Sequence, residues 1–235
     1  MLKKIIVTGA NSRFGQELKN FKSRYKFIYR NKKQLNILSP KSIYKNFREF
    51  KPDGVLHLAG LSRPMSVHES DIDQSIDLNI IGTCNLVKAC NNKKIKIIFF
   101  STSYIYPGRK GNYKENDPVL PWNNYGWSKL GAESAVQMYK NSLIIRACMT
   151  EKPFIHKKAF SNVKCNFIFH DEFIKILLKV INFKGVVNIG GKSQTIYQFA
   201  KKYKKNVKKK ISKGELPSKI YMNLEKVNNL LKKCK

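Results

Sequence analysis

The stretch KIIVTGANSRFG, residues 4–15, decides how the rest of the chain is interpreted. Its first five residues form a short, mostly apolar and β-branched run, which is typical of a buried strand. Gly9 and Gly15 then bound a turn of the kind that joins a strand to a helix. Such a turn lets backbone N–H groups approach a pyrophosphate at the start of the helix. The stretch alone therefore leaves two alternatives open, a dinucleotide-binding turn and an ordinary strand–helix connection.

Strand and helix patterns continue to alternate downstream of this turn. Further apolar strands are predicted at residues 26–30, 54–59, 95–100 and 142–146, and helices at 11–20, 40–47, 72–90 and 125–139. Strands this apolar are buried on both faces, which requires helices on each side of a parallel sheet. We therefore predict an α/β fold, a Rossmann-like doubly wound parallel sheet. Residues 173–181, 186–189 and 196–203 predict a helix, a strand and a helix in a small C-terminal lobe.

The chain is strongly basic, with 46 Lys and Arg residues against 15 Asp and Glu, a net charge of +31 over 235 residues. This excess favours anionic partners. Seven of the 46 are Arg, and a lysine-rich composition also follows from A/T-rich codons, so a selected basic surface and a compositional bias both remain open. Nucleic-acid readers usually rely on Arg and on aromatic side chains between basic ones. Beyond Tyr203 in its lysine run the chain lacks that pattern, so nucleic-acid binding is not predicted.

Other classes of protein are excluded by what the sequence lacks. No apolar run approaches the ~20 residues of a membrane span, and the first residues are too short a run for a secretory segment. We therefore expect a cytoplasmic protein without a membrane partner. The cysteines are odd in number, widely spaced and without a CxxC pair, so neither a disulfide framework nor a metal site is predicted. They are Cys84, Cys90, Cys148, Cys165 and Cys234.

Two groups of polar residues stand where this fold places its chemistry. Ser101, Thr102 and Ser103 follow the strand predicted at 95–100, and the carboxyl ends of parallel strands are where such folds bind ligands. Tyr125 and Lys129 are four residues apart and share one face of the next predicted helix. An ammonium beside a phenol lowers the phenol pKa from its usual value near 10, which creates an acid/base for neutral pH. An ordinary surface Tyr–Lys pair is the alternative.

The end of the second predicted strand bears on cofactor choice. Residues 27–33, FIYRNKK, contain no carboxylate of the kind that binds the ribose 2′-hydroxyl of NAD. Arg30 has the planar guanidinium that binds a 2′-phosphate through two hydrogen bonds. The segment therefore predicts NADP in preference to NAD, with a solvated basic turn as the alternative.

The order of the glycine turn, the hydroxyl residues after the fourth strand and the YxxxK pair resembles the extended short-chain dehydrogenase/reductase superfamily. Segments HLAG (57–60), NIIGT (79–83) and NIGG (188–191) fit the same branch, which contains the NAD-dependent epimerases and dehydratases. Segments FST (100–102), NYG (124–126) and SKL (128–130), with Glu133, are similar to dTDP-4-dehydrorhamnose reductases. The resemblance covers nearly the whole chain and is specific for the superfamily rather than for the substrate.

The resemblance implies a role for each matching residue. Thr102 is expected to be the catalytic hydroxyl, Tyr125 the acid/base, and Lys129 its activator and the anchor of the ribose. His57 is expected to be structural. The residues expected to bind the cofactor are Gly9, Asn11, Ser12, Arg13, Phe14 and Gly15 at the pyrophosphate, Asn36 at the adenine, and Leu58, Ala59 and Gly60 along the cofactor, together with Arg30, Tyr125 and Lys129.

The resemblance also implies a function and a domain division. We expect an NAD(P)-dependent reductase of a nucleotide-linked 4-keto sugar, with residues 1–149 as the dinucleotide-binding domain. Residues 150–235 are expected to form a reduced substrate lobe interleaved with the last Rossmann elements. An epimerase or dehydratase with the same three residues, and a non-catalytic NAD(P)-sensing regulatory subunit, are the alternatives.

Three departures from the family pattern qualify these expectations. Ser12 replaces the middle glycine of the turn, and Ser103 stands where the reductases often have Asp. The chain is also short after Met149, so the nucleotide end of the substrate site is either reduced or completed by another subunit, as in a homodimer.

Overall fold

The computed structural model describes residues 2–233. Its strands are β1 (Lys4–Thr8), β2 (Lys26–Arg30), β3 (Gly54–His57), β4 (Lys96–Thr102), β5 (Ser142–Ala147), β6 (Met149–Thr150), β7 (Lys158–Phe160), β8 (Lys164–Cys165), β9 (Ile168–Phe169), β10 (Gly185–Ile189), β11 (Gln194–Thr195) and β12 (Lys208–Lys210). Its α-helices are α1 (Arg13–Lys19), α2 (Pro40–Phe50), α3 (Val67–Ser70), α4 (Ile72–Ser75), α5 (Gly82–Lys93), α6 (Asn124–Gln137), α7 (His170–Val180), α8 (Ile196–Tyr203) and α9 (Glu225–Lys232). A π-helical segment covers Ile76–Ile81, and a 3-10 turn covers Ser103–Ile105.

The central sheet has the strand order β10-β5-β4-β3-β1-β2. Strand β1 pairs in parallel with β2 on one side and β3 on the other, and β3 pairs in parallel with β4. The chain therefore reverses its direction of winding between β1 and β3. Open α/β sheets bind ligands at such a switch point, outside the carboxyl ends of the strands. The predicted α/β, doubly wound parallel fold is confirmed.

Helices cover both faces of the sheet, as the continuous apolar strands require. On one face Ile6, Val55 and Ile97 belong to a core cluster with residues of α2, α5 and α6. On the other face Phe14 of α1 packs on Phe100 of β4, with ring centroids 5.0 Å apart. Alternate residues of each strand are thus buried on opposite sides, and burial of such side chains is the main stabilising contribution to a core of this kind.

Two predicted elements differ from the structure for local reasons. Strand β3 ends at His57 rather than at residue 59, because the N–H of Ala59 donates to the side chain of Thr8 at 3.1 Å. The helix predicted over 72–90 is α4, the π-helical segment and α5 in succession, ending at Lys93. Buried Asn79 lies in the π-helical segment, and such wide turns occur frequently at functional sites.

Contacts divide the chain into two units. The first contains Met1–Ser101, Asn123–Ile145 and Ile181–Val186, and the second contains Thr102–Trp122, Arg146–Val180 and Val187–Lys235. In the first unit Lys96 donates to the carbonyl of Phe183 at 2.6 Å. In the second unit three short pairings connect β6 with β9, β7 with β12, and β8 with β11.

Buried polar and thiol groups connect distant segments within the second unit. Asn188, fully buried, accepts a hydrogen bond from the Tyr106 hydroxyl at 2.9 Å and donates to the carbonyl of Tyr113 at 2.9 Å. The thiols of Cys148 and Cys165 contact each other, and burial raises the pKa of Cys165. The cysteines described, at positions 84, 90, 148 and 165, are free thiols, and Cys234 lies outside the described residues.

Candidate functional site

The turn after β1 depends on glycine at its first position. Gly9 has φ +65°, and a Cβ placed there would lie 2.6 Å from the backbone nitrogen of Ala59. Any other residue would be strained and would push the loop after β3 away from the turn. Because β1 and β3 flank the switch point, this contact brings together two of the segments expected to line a cofactor, at Gly9 and at Ala59.

The rest of the turn is organised around the start of α1. Ser12 is the N-cap, and its Oγ accepts a hydrogen bond of 3.1 Å from the N–H of Gly15. A Cβ on Gly15 would lie 2.8 Å from the carbonyl oxygen of Ala10, so glycine is required there as well. Phe14 is buried against Phe100, so its backbone rather than its side chain is available for contacts at the turn. Asn11 and Arg13 are exposed.

His57 belongs to a buried hydrogen-bonded chain beneath this turn. The Thr83 hydroxyl donates to the carbonyl of Asn79 at 2.6 Å, so its oxygen accepts from Nε2 of His57 at 3.0 Å. Nδ1 then accepts from the Thr8 hydroxyl at 2.9 Å, and Thr8 Oγ1 accepts from the N–H of Ala59. Burial lowers the pKa of His57 to about 3, and the charge of Lys129 adds to the effect. The expectation that His57 is structural is confirmed, since both ring nitrogens have partners.

The loop after β3 is fixed by Asn79, a residue whose segment the sequence singled out without giving it a role. Its Oδ1 accepts from the N–H of Leu61 at 2.7 Å, and its Nδ2 donates to the carbonyl of Leu61 at 2.9 Å and to Ser128 Oγ at 2.8 Å. A Cβ on Gly60 would lie 2.8 Å from the same Oδ1. Asn79 therefore ties the predicted cofactor loop at 58–60 to helix α6.

Helix α6 carries Tyr125 and Lys129 one turn apart, as the spacing predicts. Asn123 caps the helix and accepts from the N–H of Gly126 at 2.8 Å. Tyr125 is partly buried near the start of the helix, and Nζ of Lys129 lies 4.2 Å from the ring centroid of Phe99 in β4. The structure thus places the predicted acid/base and its activator on one helix of the first unit.

Burial lowers the pKa of Lys129 to about 7, while the neighbouring Glu133 carboxylate acts in the opposite direction. Sequence spacing alone suggests a permanent ammonium beside Tyr125. In the folded chain the amine instead changes its protonation state near neutral pH. A group with its pKa near the working pH is well placed for proton transfer.

Thr102 is the last residue of β4 and belongs to the second unit. It is buried, and its Oγ1 accepts a hydrogen bond of 3.3 Å from the N–H of Tyr104. Its participation in one site with Tyr125 and Lys129 stays a prediction.

The two residues expected at the adenosine end both have local partners. The Arg30 guanidinium lies 4.1 Å from the ring centroid of Phe50, and NH2 lies 3.9 Å from Oε1 of Glu49. Asn36 Oδ1 accepts from the N–H of Leu38 at 3.0 Å. Stacking on an aromatic ring holds a guanidinium in place without using its hydrogen-bond donors. A phosphate contact by Arg30 is compatible with this packing and stays a prediction.

Within residues 2–233, no cluster of three or more His, Cys, Asp and Glu side chains has the arrangement to hold a metal ion. In the same part of the chain, no helix has the length and apolar character needed to cross a membrane.

Comparison with known proteins connects this geometry to a family. The family model described as "RmlD substrate binding domain" matches residues 3–151. The spore coat polysaccharide biosynthesis protein SpsK of Bacillus subtilis is 32% identical over 147 residues, which cover 61% of this chain and 52% of that protein. Methionine adenosyltransferase 2 subunit beta of Pongo abelii is 29% identical over 148 residues, covering 57% and 42%. The chain therefore spans about half the length of the curated relatives it matches.

Solved structures show the same fold. A dTDP-4-dehydrorhamnose reductase from Bacillus anthracis str. Ames, in complex with NADP, superposes with a TM-score of 0.87 at 20% identity. The superposition covers 97% of this chain and 92% of the reductase.

Proposed function

Because the chain belongs to the RmlD substrate-binding-domain family, we propose that it is an NAD(P)-dependent reductase of a nucleotide-linked 4-keto sugar. The observation that carries the proposal is the pairing of Tyr125 and Lys129 on α6. Lys129 is partly buried against Phe99 and has a pKa lowered to about 7, in the same unit as the glycine turn at the switch point. An ordinary surface Tyr–Lys pair would have neither the burial nor the shifted pKa.

The residues present fit a dinucleotide cofactor. This fit is supported by the close backbone approach at Gly9 and Gly15, where an added Cβ would collide with the backbone of Ala59 and of Ala10. This keeps the turn free of side chains where a pyrophosphate needs backbone N–H groups. Residues Gly9, Asn11, Ser12, Arg13, Phe14 and Gly15 would hold the pyrophosphate, Asn36 the adenine, Leu58, Ala59 and Gly60 the length of the cofactor, and Tyr125 and Lys129 its nicotinamide ribose.

The cofactor is proposed to be NADP in preference to NAD. Strand β2 ends without a carboxylate, and Arg30 is held over Phe50 at its last position. The solved reductase with the same fold is a complex with NADP, which agrees with this preference.

A bound nicotinamide would supply the hydride, and side chains of this protein would supply the proton. The Tyr125 phenol donates its proton to the carbonyl oxygen of the sugar, which becomes a hydroxyl. The Thr102 hydroxyl donates a hydrogen bond to the same oxygen. Lys129, whose pKa is lowered to about 7, stabilises in its ammonium form the phenolate that Tyr125 becomes, and its proton favours reprotonation of that phenolate.

The part of the chain that follows residue 149 is proposed to bind the sugar nucleotide. Residues 150–235 would form this reduced substrate lobe, and residues 1–149 the dinucleotide-binding domain. The nucleotide end of this lobe is proposed to be either reduced or completed by a second copy of the chain.

The test is to incubate the protein with a panel of nucleotide-linked 4-keto sugars and NADPH while following absorbance at the nicotinamide band. Stoichiometric NADPH consumption with formation of the 4-hydroxy sugar supports the reductase. Conversion of the sugar with no net NADPH consumption would instead indicate an epimerase or dehydratase with the same three residues.

A second candidate is a non-catalytic subunit that binds NAD(P). It is favoured by the relative named subunit beta of methionine adenosyltransferase 2, which is 29% identical to this chain over 148 residues. Cofactor binding with no conversion of any sugar in the panel would support this candidate over the enzyme.

A further inference from the structure

His68 is a buried polar residue in a stretch that is otherwise open to solvent. It lies in α3 and is 1% exposed, whereas residues 62–66 before it and residues 69–74 after it are exposed. Nothing in the sequence patterns marks it, because a lone histidine in a polar segment has no periodicity. A segment that buries one imidazole among exposed neighbours does so at a cost unless that imidazole has a partner.

The imidazole is held in a defined orientation. Nδ1 of the ring lies 2.7 Å from Ser75 Oγ. The main-chain carbonyl of His68 accepts a hydrogen bond from Nδ2 of Asn124 at 3.2 Å. Asn124 also donates from Nδ2 to the Glu69 carboxylate at 2.6 Å. These contacts fasten α3 to the start of α6, so the ring is placed by its surroundings.

The other ring nitrogen, Nε2, is buried and has no hydrogen-bond partner among residues 2–233. Leaving a buried polar atom unpaired costs roughly 1–3 kcal/mol. Such an atom in a native structure requires an explanation, and a role in the chemistry of a site is one of the accepted ones.

The position of His68 indicates which kind of ligand group would bind Nε2. Its ring centroid lies 5.1 Å from that of Tyr125, at an interplanar angle of 59°. Burial lowers the pKa of His68, the charge of Lys129 acts in the same direction and the Glu69 carboxylate opposes them, so the ring is neutral at pH 7. A neutral imidazole beside the proposed acid suits an uncharged polar group of the substrate better than a phosphate.

We propose that Nε2 of His68 forms a hydrogen bond with a hydroxyl of the sugar whose keto group Tyr125 protonates; the inference rests on the proposed function. The kind of group that can bind Nε2 depends on which atom donates in the hydrogen bond between His68 Nδ1 and Ser75. If the serine hydroxyl donates, Nε2 carries a proton and needs an acceptor; if Nδ1 donates, Nε2 needs a donor. A sugar hydroxyl serves as either.

Because Nε2 is buried, the contact with a sugar hydroxyl requires a local adjustment of the chain around it. Hydrogen bonds in enzyme sites commonly tighten only in the complex. The segment that carries His68 suits such an adjustment, because α3 and α4 have four residues each and residues 62–66 are exposed.

The experiment measures binding of dTDP-glucose and UDP-glucose, with dTDP and UDP as probes that lack the sugar, by titration calorimetry on the full chain. The variant His68→Phe keeps an aromatic ring against Tyr125 and removes Nε2. We expect it to weaken binding of the preferred nucleotide sugar about three- to tenfold, with the affinity for the bare nucleotide unchanged. His68→Gln, which restores a hydrogen-bonding group, should recover most of the loss. Lys88→Gln, on the exposed face of α5 and outside the proposed sites, is the control and should change neither affinity.

The outcomes distinguish a failure of the proposed role of His68 from a failure of the proposed function. Equal weakening for nucleotide sugar and bare nucleotide, or no weakening, overturns the role of His68 and leaves the proposed function standing. Failure of the wild-type chain to bind any of the four probes overturns the proposed function, and the role of His68 with it.

Discussion

Asn79 donates a hydrogen bond of 2.8 Å to the hydroxyl of Ser128, which in turn donates to the main-chain carbonyl of Tyr125 at 2.9 Å. The same amide holds Leu61 through both its N–H and its carbonyl. One buried side chain therefore positions the loop after β3 and the first turn of α6. A single substitution there should disturb both.

Replacing Asn79 with Leu keeps the number and branching of side-chain heavy atoms and removes the hydrogen bonds that Asn79 makes to Leu61 and Ser128. We expect the free energy of unfolding, measured in urea, to fall by roughly 2–4 kcal/mol, since several buried partners lose a hydrogen bond. Asn92→Leu on the exposed face of α5 is the control and should cost less than about 1 kcal/mol. A similar cost for the two variants would mean that the Asn79 contacts contribute little.

Tyr125→Phe removes the proposed proton donor and almost no volume. Turnover should fall by roughly 10²–10⁴-fold, the usual contribution of general acid catalysis, while cofactor affinity stays within a few-fold. The measurement is the initial rate of NADPH consumption together with the dissociation constant for NADPH. Activity within a few-fold of the wild type would remove Tyr125 from the role of acid.

Lys129→Met should abolish activity, weaken cofactor binding and, at pH 7, stabilise the fold. The pKa of Lys129 is lowered from 10.5 to about 7, so between these values the unfolded chain binds a proton that the folded chain does not. Stability from this group is present above pH 10.5 and is lost as the pH falls towards 7. Replacement by Met should therefore raise the unfolding free energy at pH 7 by at least about 1 kcal/mol. A lower melting temperature for the variant at that pH would contradict the burial argument.

Arg30→Ala tests the preference for NADP. A lost phosphate contact should reduce NADPH affinity roughly tenfold or more, because hydrogen bonds to charged groups contribute about 1.5–3 kcal/mol, while NADH affinity should barely move. Arg24→Ala is a matched control, since Arg24 also stacks on an aromatic ring, 5.2 Å from the centroid of Tyr25. Equal losses for both dinucleotides would leave Arg30 with its packing on Phe50 alone.

His57 should make the fold sensitive to mild acid. Its pKa is lowered from 6.5 to about 3, so stability present above pH 6.5 is lost as the pH falls through that window, because the unfolded chain takes up the proton first. The expected loss is about 1.4 kcal/mol per pH unit, once well below pH 6.5. Urea unfolding between pH 6.5 and 5 should show a steeper decline for the wild type than for His57→Gln. Parallel declines would indicate that the imidazole titrates normally in the fold.

The sequence predicted the strands, the turn and the Tyr–Lys pair because each depends on local patterns. The apolar run at 4–8 is long enough to require burial on both faces, and the i, i+4 relation of Tyr125 and Lys129 follows from helix geometry. The cap of α2 at Ser39 is a local feature of the same kind, since its side chain accepts a hydrogen bond from the N–H of Ser42, three residues on.

The parts that sequence reasoning missed are produced by contacts between distant segments. Asn79 meets Ser128 across 49 residues, and the Ser75–His68 contact depends on how two short helices pack. The lowered pKa of Lys129 is also a tertiary effect, since it results from burial. No periodicity reports such contacts; the one available signal was a polar residue, Asn79, inside an otherwise helical apolar pattern.

The chain of hydrogen bonds through His57 has a fixed sense. It begins at a main-chain donor, the N–H of Ala59, and ends at a main-chain acceptor, the carbonyl of Asn79, so the protons between them cannot reverse their order. The imidazole must carry its hydrogen on Nε2 for as long as the loop after β3 stays against β1. Nitrogen chemical shifts of His57 thus give a native spectroscopic reporter: a mixture of tautomers would reveal that the loop has left the turn, without any label placed in the site itself.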